Sequence, residues 1–125
     1  MSITMQADLG SNITTLTATG QVTANDLLAG LQEFYSRTPT ELALCDLSNA
    51  DLDSFSRADV ERLVGATKRL ASVRDRPRTA IVAKGDLGFG LARMYEILGE
   101  AKGHPASMRV FRARDEAIQW LRERT

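Results

Sequence analysis

Three serines and three aspartates crowd one short stretch, Asp46-Leu47-Ser48-Asn49-Ala50-Asp51-Leu52-Asp53-Ser54-Phe55-Ser56. Neighbouring carboxylates run acid–base chemistry when burial drives their pKa values apart. In so polar a segment Asp46, Asp51 and Asp53 read instead as solvated, and a Mg²⁺ site would need an organising phosphate. The serines suggest a different chemistry. The segment runs into Val60, Leu63, Val64, Thr67, Leu70 and Ala71, the spacing of an amphipathic helix, so Ser54 or Ser56 is its expected cap. A phosphate on Ser54 would meet exposed N–H groups and the positive end of the helix dipole, with Asp51 and Asp53 opposing it. The same serines also suit plain capping and turn formation. Ser54 is therefore the candidate phosphosite, and Ser48, Asp53 and Ser56 complete one candidate partner or ligand loop.

A second loop follows the apolar run Thr79-Ala80-Ile81-Val82-Ala83. It contains Gly85, Asp86, Gly88, Phe89 and Gly90. The Gly-x-x-Gly-x-Gly spacing is neither the dinucleotide fingerprint nor a Walker A loop, and Asp86 puts a negative charge where a phosphate would need none. The glycines read as residues that allow positive φ and close backbone approach. Phe89 is placed to line an opening. Arg93, near the start of the next helix, needs a carboxylate or a bound anion to offset the dipole there. Asp86 or Asp46 is its expected partner in a salt bridge, and a ligand head group is the other candidate. With Met94 and Tyr95 it makes up the candidate pocket.

Other chemistries find little footing. One cysteine and one histidine in the whole chain rule out a tetrahedral site of nitrogen and sulfur ligands. Cys45 sits in the apolar run Leu42-Ala43-Leu44-Cys45 and reads as an inert core thiol. His104 lies in the loop sequence Gly103-His104-Pro105, and no serine occupies a nucleophile elbow. No catalytic residue, metal or cofactor is expected, and the chain reads as a non-enzyme. Lys68, Arg69, Arg74, Arg76 and Arg78 read mostly as helix C-terminal charge. Phe34, Tyr35, Tyr95 and Trp120 read as core or subunit-contact aromatics, with Trp120 placed to be exposed at a helix end. Sixteen basic residues balance sixteen acidic ones, which leaves no field for nucleic acid. No signal peptide and no membrane-length apolar run is present, so a cytoplasmic setting is expected.

The elements that must position these residues follow from periodicity. Ile3, Met5 and Ala7 alternate with polar residues, Gly10-Ser11-Asn12 is turn chemistry, and Ile13 to Thr19 alternates again: a hairpin. Thr23 caps a helix, with Asp26 completing a capping box, and Leu27, Leu28, Leu31, Phe34 and Tyr35 mark its inner face. Thr38-Pro39 stops it. A strand over 41–47, the second helix with its stop at Asp75-Arg76-Pro77-Arg78, and the strand before Gly85 come next. Leu91, Met94, Tyr95 and Leu98 mark a third helix. A short strand over 108–111 follows, then a closing helix with Asp115 and Glu116 in its first turn and Arg122 and Arg124 in its last. The order β-β-α-β-α-β-α-β-α predicts a single α/β domain over 1–125: a mostly parallel five-stranded sheet with four helices, the first strand antiparallel.

Three motifs carry a resemblance: Asp46-Leu47-Ser48 with Asp53-Ser54; Phe89-Gly90-Leu91-Ala92-Arg93-Met94-Tyr95; and Val110-Phe111-Arg112 with Glu116-Ala117-Ile118-Gln119-Trp120-Leu121. Together with the element order they make the chain resemble the STAS fold, and more narrowly the SpoIIAA-like group. Antagonists of that fold carry Asp-Leu-Ser at a strand end and then Asp-Ser-Ser-Gly-Leu. The serine after the second aspartate is phosphorylated by a partner kinase, and Ser54 matches it by position. Here Phe55-Ser56-Arg57 stands where Ser-Gly-Leu would be. The group also resembles in fold the lipid-binding lobe of CRAL-TRIO proteins, which implies an apolar pocket near the helices.

The expected function is a regulatory or protein-interaction module that works through the loops 48–56 and 85–90. The alternative is a carrier of a small apolar molecule or lipid, with Phe89, Met94 and Tyr95 around the ligand and Arg93 at its head group. A hydrolase built on the aspartates ranks last. A hairpin at the sheet edge and an aromatic helix end suit a homodimer.

Overall fold

The computed structural model describes residues 2–37, 39–72, 74 and 77–123. Expectations placed on Thr38, Asp75, Arg76 and Arg124 lie outside the described residues. The elements are β1 (Ser2–Asp8), β2 (Ile13–Gln21), α1 (Ala24–Ser36), β3 (Leu42–Asp51), α2 (Arg57–Ala71), β4 (Arg78–Val82), α3 (Asp86–Ala101), β5 (Ser107–Phe111) and α4 (Arg114–Arg122). They form one five-stranded sheet in the order β1-β2-β3-β4-β5. β1 pairs antiparallel with β2, and all other neighbours are parallel. The expected fold class is the observed one.

Adjacent parallel strands need a crossover each, and crossovers of one hand put their helices on one face. α1, α2 and α3 accordingly share a core with Ala18, Cys45, Leu47 and Ile81. α4 has no further strand to feed, and it closes the opposite face of β3, β4 and β5 through Ala117 and Leu121 against Leu44, Ala80 and Val82. Alternation along β3 thus sends Leu44 towards α4 and Cys45 and Leu47 towards the other three helices.

Two boundaries differ from the sequence reading. β3 runs on to Asp51, because Asn49 to Asp51 resume pairing with the end of β2 after a bulge: Thr17 faces Asp46, but Thr19 faces Asn49. The extra residue in β3 resets its alternation, which a period-two reading cannot follow. α3 begins at Asp86, so Gly88 and Gly90 are helical and Gly85 is the N-cap with φ −73°. Gly85, Gly88 and Gly90 do not hold positive φ, contrary to expectation. Among the described residues that conformation belongs to Asn12 (φ 59°), Gly20 (75°) and Gly103 (73°).

The helix caps follow local chemistry. Thr23 Oγ1 accepts from the Asp26 amide at 3.2 Å while Asp26 accepts from the Thr23 amide at 2.9 Å, the expected box. Ser56, not Ser54, caps α2 in the same reciprocal way with Asp59, at 3.2 and 2.9 Å. No helix among the described residues is long and apolar enough to cross a membrane.

Candidate functional site

The carboxyl ends of β3 and β4 lie side by side, and the segments that leave them form the two sides of a cleft of about 260 Å³. Ser48, Asp51 and Asp53 stand on one side; Gly85, Asp86 and Gly88 stand on the other. Both expected loops therefore meet, because β3 and β4 are adjacent parallel strands whose carboxyl ends point the same way. The tight turn after β3 is held by the Phe55 amide on the Leu52 carbonyl at 3.0 Å and the Asp53 amide on the Asp51 carboxylate at 2.9 Å. Ser54 is exposed at the outside of this turn, two residues ahead of the cap Ser56. Ser54, Ser56, Phe89 and Gly90 do not line the cleft.

Asp46 sits at the bulge. Its carboxylate accepts from the Ser48 amide at 3.0 Å, from the Ser48 hydroxyl at 2.6 Å and from Arg114 at 3.2 Å. Burial pushes the Asp46 carboxyl up, but the Ser48 hydroxyl and amide, with Arg114, outweigh it, and its pKa falls below the ordinary value. An aspartate held ionised in this way is no general acid. Asp51, the last residue of β3, is engaged instead by the Asp53 amide. A second clamp closes the other side: Arg112 donates to the Lys84 carbonyl at 2.8 Å, pairs with Asp86 at 3.2 Å and lies 4.2 Å from the centre of the Phe89 ring. Phe89 is half-buried under that guanidinium, packed against the core rather than lining the cleft.

The candidate pocket rearranges more. Between α1, α2, α3 and the sheet lies a cavity of about 80 Å³ with an apolar wall that includes Leu31, Leu47, Leu52, Leu63, Leu91 and Tyr95. Beside it, sharing Leu31, Cys45, Thr79 and Tyr95, is a smaller one of about 40 Å³ whose wall includes Tyr35, Thr67, Arg74 and His104. Of the three residues named for a pocket, Tyr95 lines both cavities, while Arg93 and Met94 line neither. Arg93 points outward and pairs with Glu96 at 2.6 Å, not with Asp86 or Asp46, because those two are held by Arg112 and Arg114.

The cation at the cavity is Arg74, only 7% exposed. All five of its N–H donors are used: on the carbonyls of Thr40 (3.0 Å), Glu41 (2.6 Å) and Arg78 (3.2 Å), on Tyr35 (3.2 Å) and on Thr79 (3.1 Å). Arg74 does follow the C-terminus of α2, as read, but it is buried and spends its charge on strand-end carbonyls rather than on the helix dipole alone. Its signal in the sequence was faint: polar Thr40 and Thr79 at places where the pattern calls for apolar side chains. Arg78 is likewise folded back, 4.3 Å from the Trp120 ring centre, and Trp120 is half-buried against Phe111 rather than free at a helix end.

Around Thr67 the polar groups satisfy one another. Its hydroxyl donates to the Leu63 carbonyl at 2.8 Å, and Tyr95 Oη stands 2.5 Å from it. His104 Nδ1 accepts from the Ala106 amide at 3.0 Å, which leaves the proton on Nε2, 3.1 Å from Thr67 Oγ1. Burial, with Arg74 and Lys68 nearby, lowers the His104 pKa to about 4. Burial and Asp46 push the Cys45 thiol up to about 12, and burial raises the Tyr95 phenol above its usual range. These groups are held in their neutral forms, and none forms a nucleophile–base pair.

No family model matches the chain, and no curated protein matches it. Solved structures do match it, among them these two. An uncharacterised protein from the DUF3478 family with a SpoIIAA-like fold, from Shewanella loihica PV-4, aligns at TM-score 0.56 and 20% identity over 96% of this chain and 92% of its own. The Bacillus cell fate determinant SpoIIAA, in its phosphorylated form, aligns at TM-score 0.58 and 11% identity over 97% of this chain and 100% of its own. The fold is the SpoIIAA-like, STAS-type fold.

Proposed function

We propose that this chain is a single-domain, cytoplasmic, non-enzymatic module that regulates a protein partner through the rim formed by residues 48–56 and 85–90. One observation carries the reading: the cleft between the β3 and β4 ends, with the Ser54 hydroxyl exposed beside it and without a hydrogen-bond partner among the described residues. The likeness to SpoIIAA in its phosphorylated form supports Ser54 as the acceptor. A phosphate there would add roughly two negative charges beside Asp51 and Asp53 and change the rim's charge at one stroke. Intact-mass analysis of the protein recovered from its own cells tests this. Wild type should carry a phosphate that Ser54→Ala lacks, and Ser54→Asp should recover a different set of partners. A wild type without phosphate whose partners match those of both variants would remove the switch.

A second reading is a carrier of a small apolar molecule, of the kind the CRAL-TRIO likeness implies. The apolar wall of the cavity favours it, but at about 80 Å³ the space must open further before it takes an acyl chain, since ligand pockets start at about 300 Å³. Native mass spectrometry of the purified protein should then show bound lipid, and a clean apo mass with no thermal shift on adding fatty acid would count against it.

A further inference from the structure

The helix α3 is apolar on two opposite sides. Its inner side packs Ala92 and Gly99 against the rest of the fold. At 100° per residue, Gly90, Met94, Ile97 and Ala101 fall within a strip of about 60° on the opposite side, with Leu87 adjoining it. No charged residue falls within the strip, and Leu87 and Ile97 are 52% and 53% exposed. Soluble helices seldom leave such a strip uncovered. Gly90 adds a separate sign. Glycine lowers the stability of a helix interior, yet a Cβ built on Gly90 would meet nothing within 4 Å. No neighbour within this chain explains the glycine, whereas a second backbone at close approach would.

We propose that this face binds the same face of a second copy of the chain, with the two α3 helices antiparallel about a two-fold axis between Met94 and Ile97. The charges beside the strip select this occupant. Arg93 and Glu100 lie on one flank, seven residues apart, and in an antiparallel pair the same flanks face each other. The axis sets Gly90 against Ala101 of the second copy and Met94 against its Ile97. It also brings Arg93 within reach of the other copy's Glu100, twice by symmetry. Arg93 holds Glu96 through Nη1, which leaves the rest of its guanidinium fork free, and Glu100 is exposed with no partner among the described residues. A lipid surface fits less well, because Arg93 and Glu100 cancel on the flank of the strip and leave no basic excess for anionic head groups. The proposal does not depend on the rim's role.

Sedimentation velocity across a dilution series tests it. Wild type should pass from dimer to monomer on dilution, while Ile97→Glu should stay monomeric with an unchanged circular dichroism spectrum and the melting temperature of dilute, monomeric wild type. Arg93→Glu and Glu100→Arg should each weaken the dimer about tenfold, and the doubly exchanged protein should regain most of the loss. A wild type monomeric at every concentration overturns the proposal, including one that binds anionic vesicles through this strip. A dimer that survives Ile97→Glu overturns it, and so does a double exchange that restores nothing.

Discussion

At Asp46 burial opposes ionisation, yet two bonds from Ser48 and one from Arg114 win, because each is made to the charged form. Its pKa is lower in the folded than in the unfolded chain, so its stabilisation is fully present above the unfolded value of about 3.9 and is lost as pH falls through the folded one. Asp46→Asn should cost about 1–2 kcal/mol at neutral pH, read as a lower urea midpoint. His104 acts in a different window. With a folded pKa of about 4 against an ordinary 6.5, it is neutral in both states above the latter. Below it the unfolded chain takes up a proton that the folded chain refuses. Stability should therefore fall by about 1 kcal/mol between about pH 7.5 and 5.5, after allowance for partial exposure. Urea titrations of His104→Gln should show that slope removed. The sequence showed that aspartates and serines gather near residue 50, but it could not say which aspartate is buried. That depends on the bulge and on Arg114, 68 residues away.

At the scale of elements, α3 offers paired tests on its glycines. In the single chain Gly90→Ala meets open space, so at dilutions where the protein is monomeric it should raise stability by about 0.5–1 kcal/mol through helix propensity, while the added Cβ should weaken the proposed α3 pairing. Gly99→Ala would drive its Cβ into Met108 Cε of β5. Cε is the far end of a flexible side chain and can swing aside, so the repacking offsets the gain in helix propensity. Gly99→Ala should stay within about 0.5 kcal/mol of wild type in thermal melts, below Gly90→Ala. Capping boxes at Thr23 and Ser56 were legible because they are local: the residues that make them lie three apart in the chain. The early start of α3 was not, since glycines argue against a helix unless tertiary packing overrides propensity. Gly88 does pack, with its Cβ position 3.7 Å from Ala83 and from Leu52.

At the scale of the whole molecule, Arg74 ties α2 to the amino ends of β3 and β4 and to α1. Its removal would leave the carbonyls of Thr40, Glu41 and Arg78 without these donors. Arg74→Ala should cost at least about 3 kcal/mol in urea unfolding, and Arg74→Lys should recover only a minor part, because an ammonium cannot reproduce the planar fork. The two cavities, the cleft and this arginine all arise where several elements converge. By itself the sequence determined the order of strands and helices, the antiparallel first strand and the meeting of the two rim loops. Those follow from residue periodicity and from the handedness of parallel crossovers, which act on neighbours in the chain. Which arginine is buried, which partner each carboxylate takes and where the apolar space lies were decided only by the tertiary structure. Such contacts join residues tens of positions apart, and their energies depend on distance and burial that no local pattern encodes.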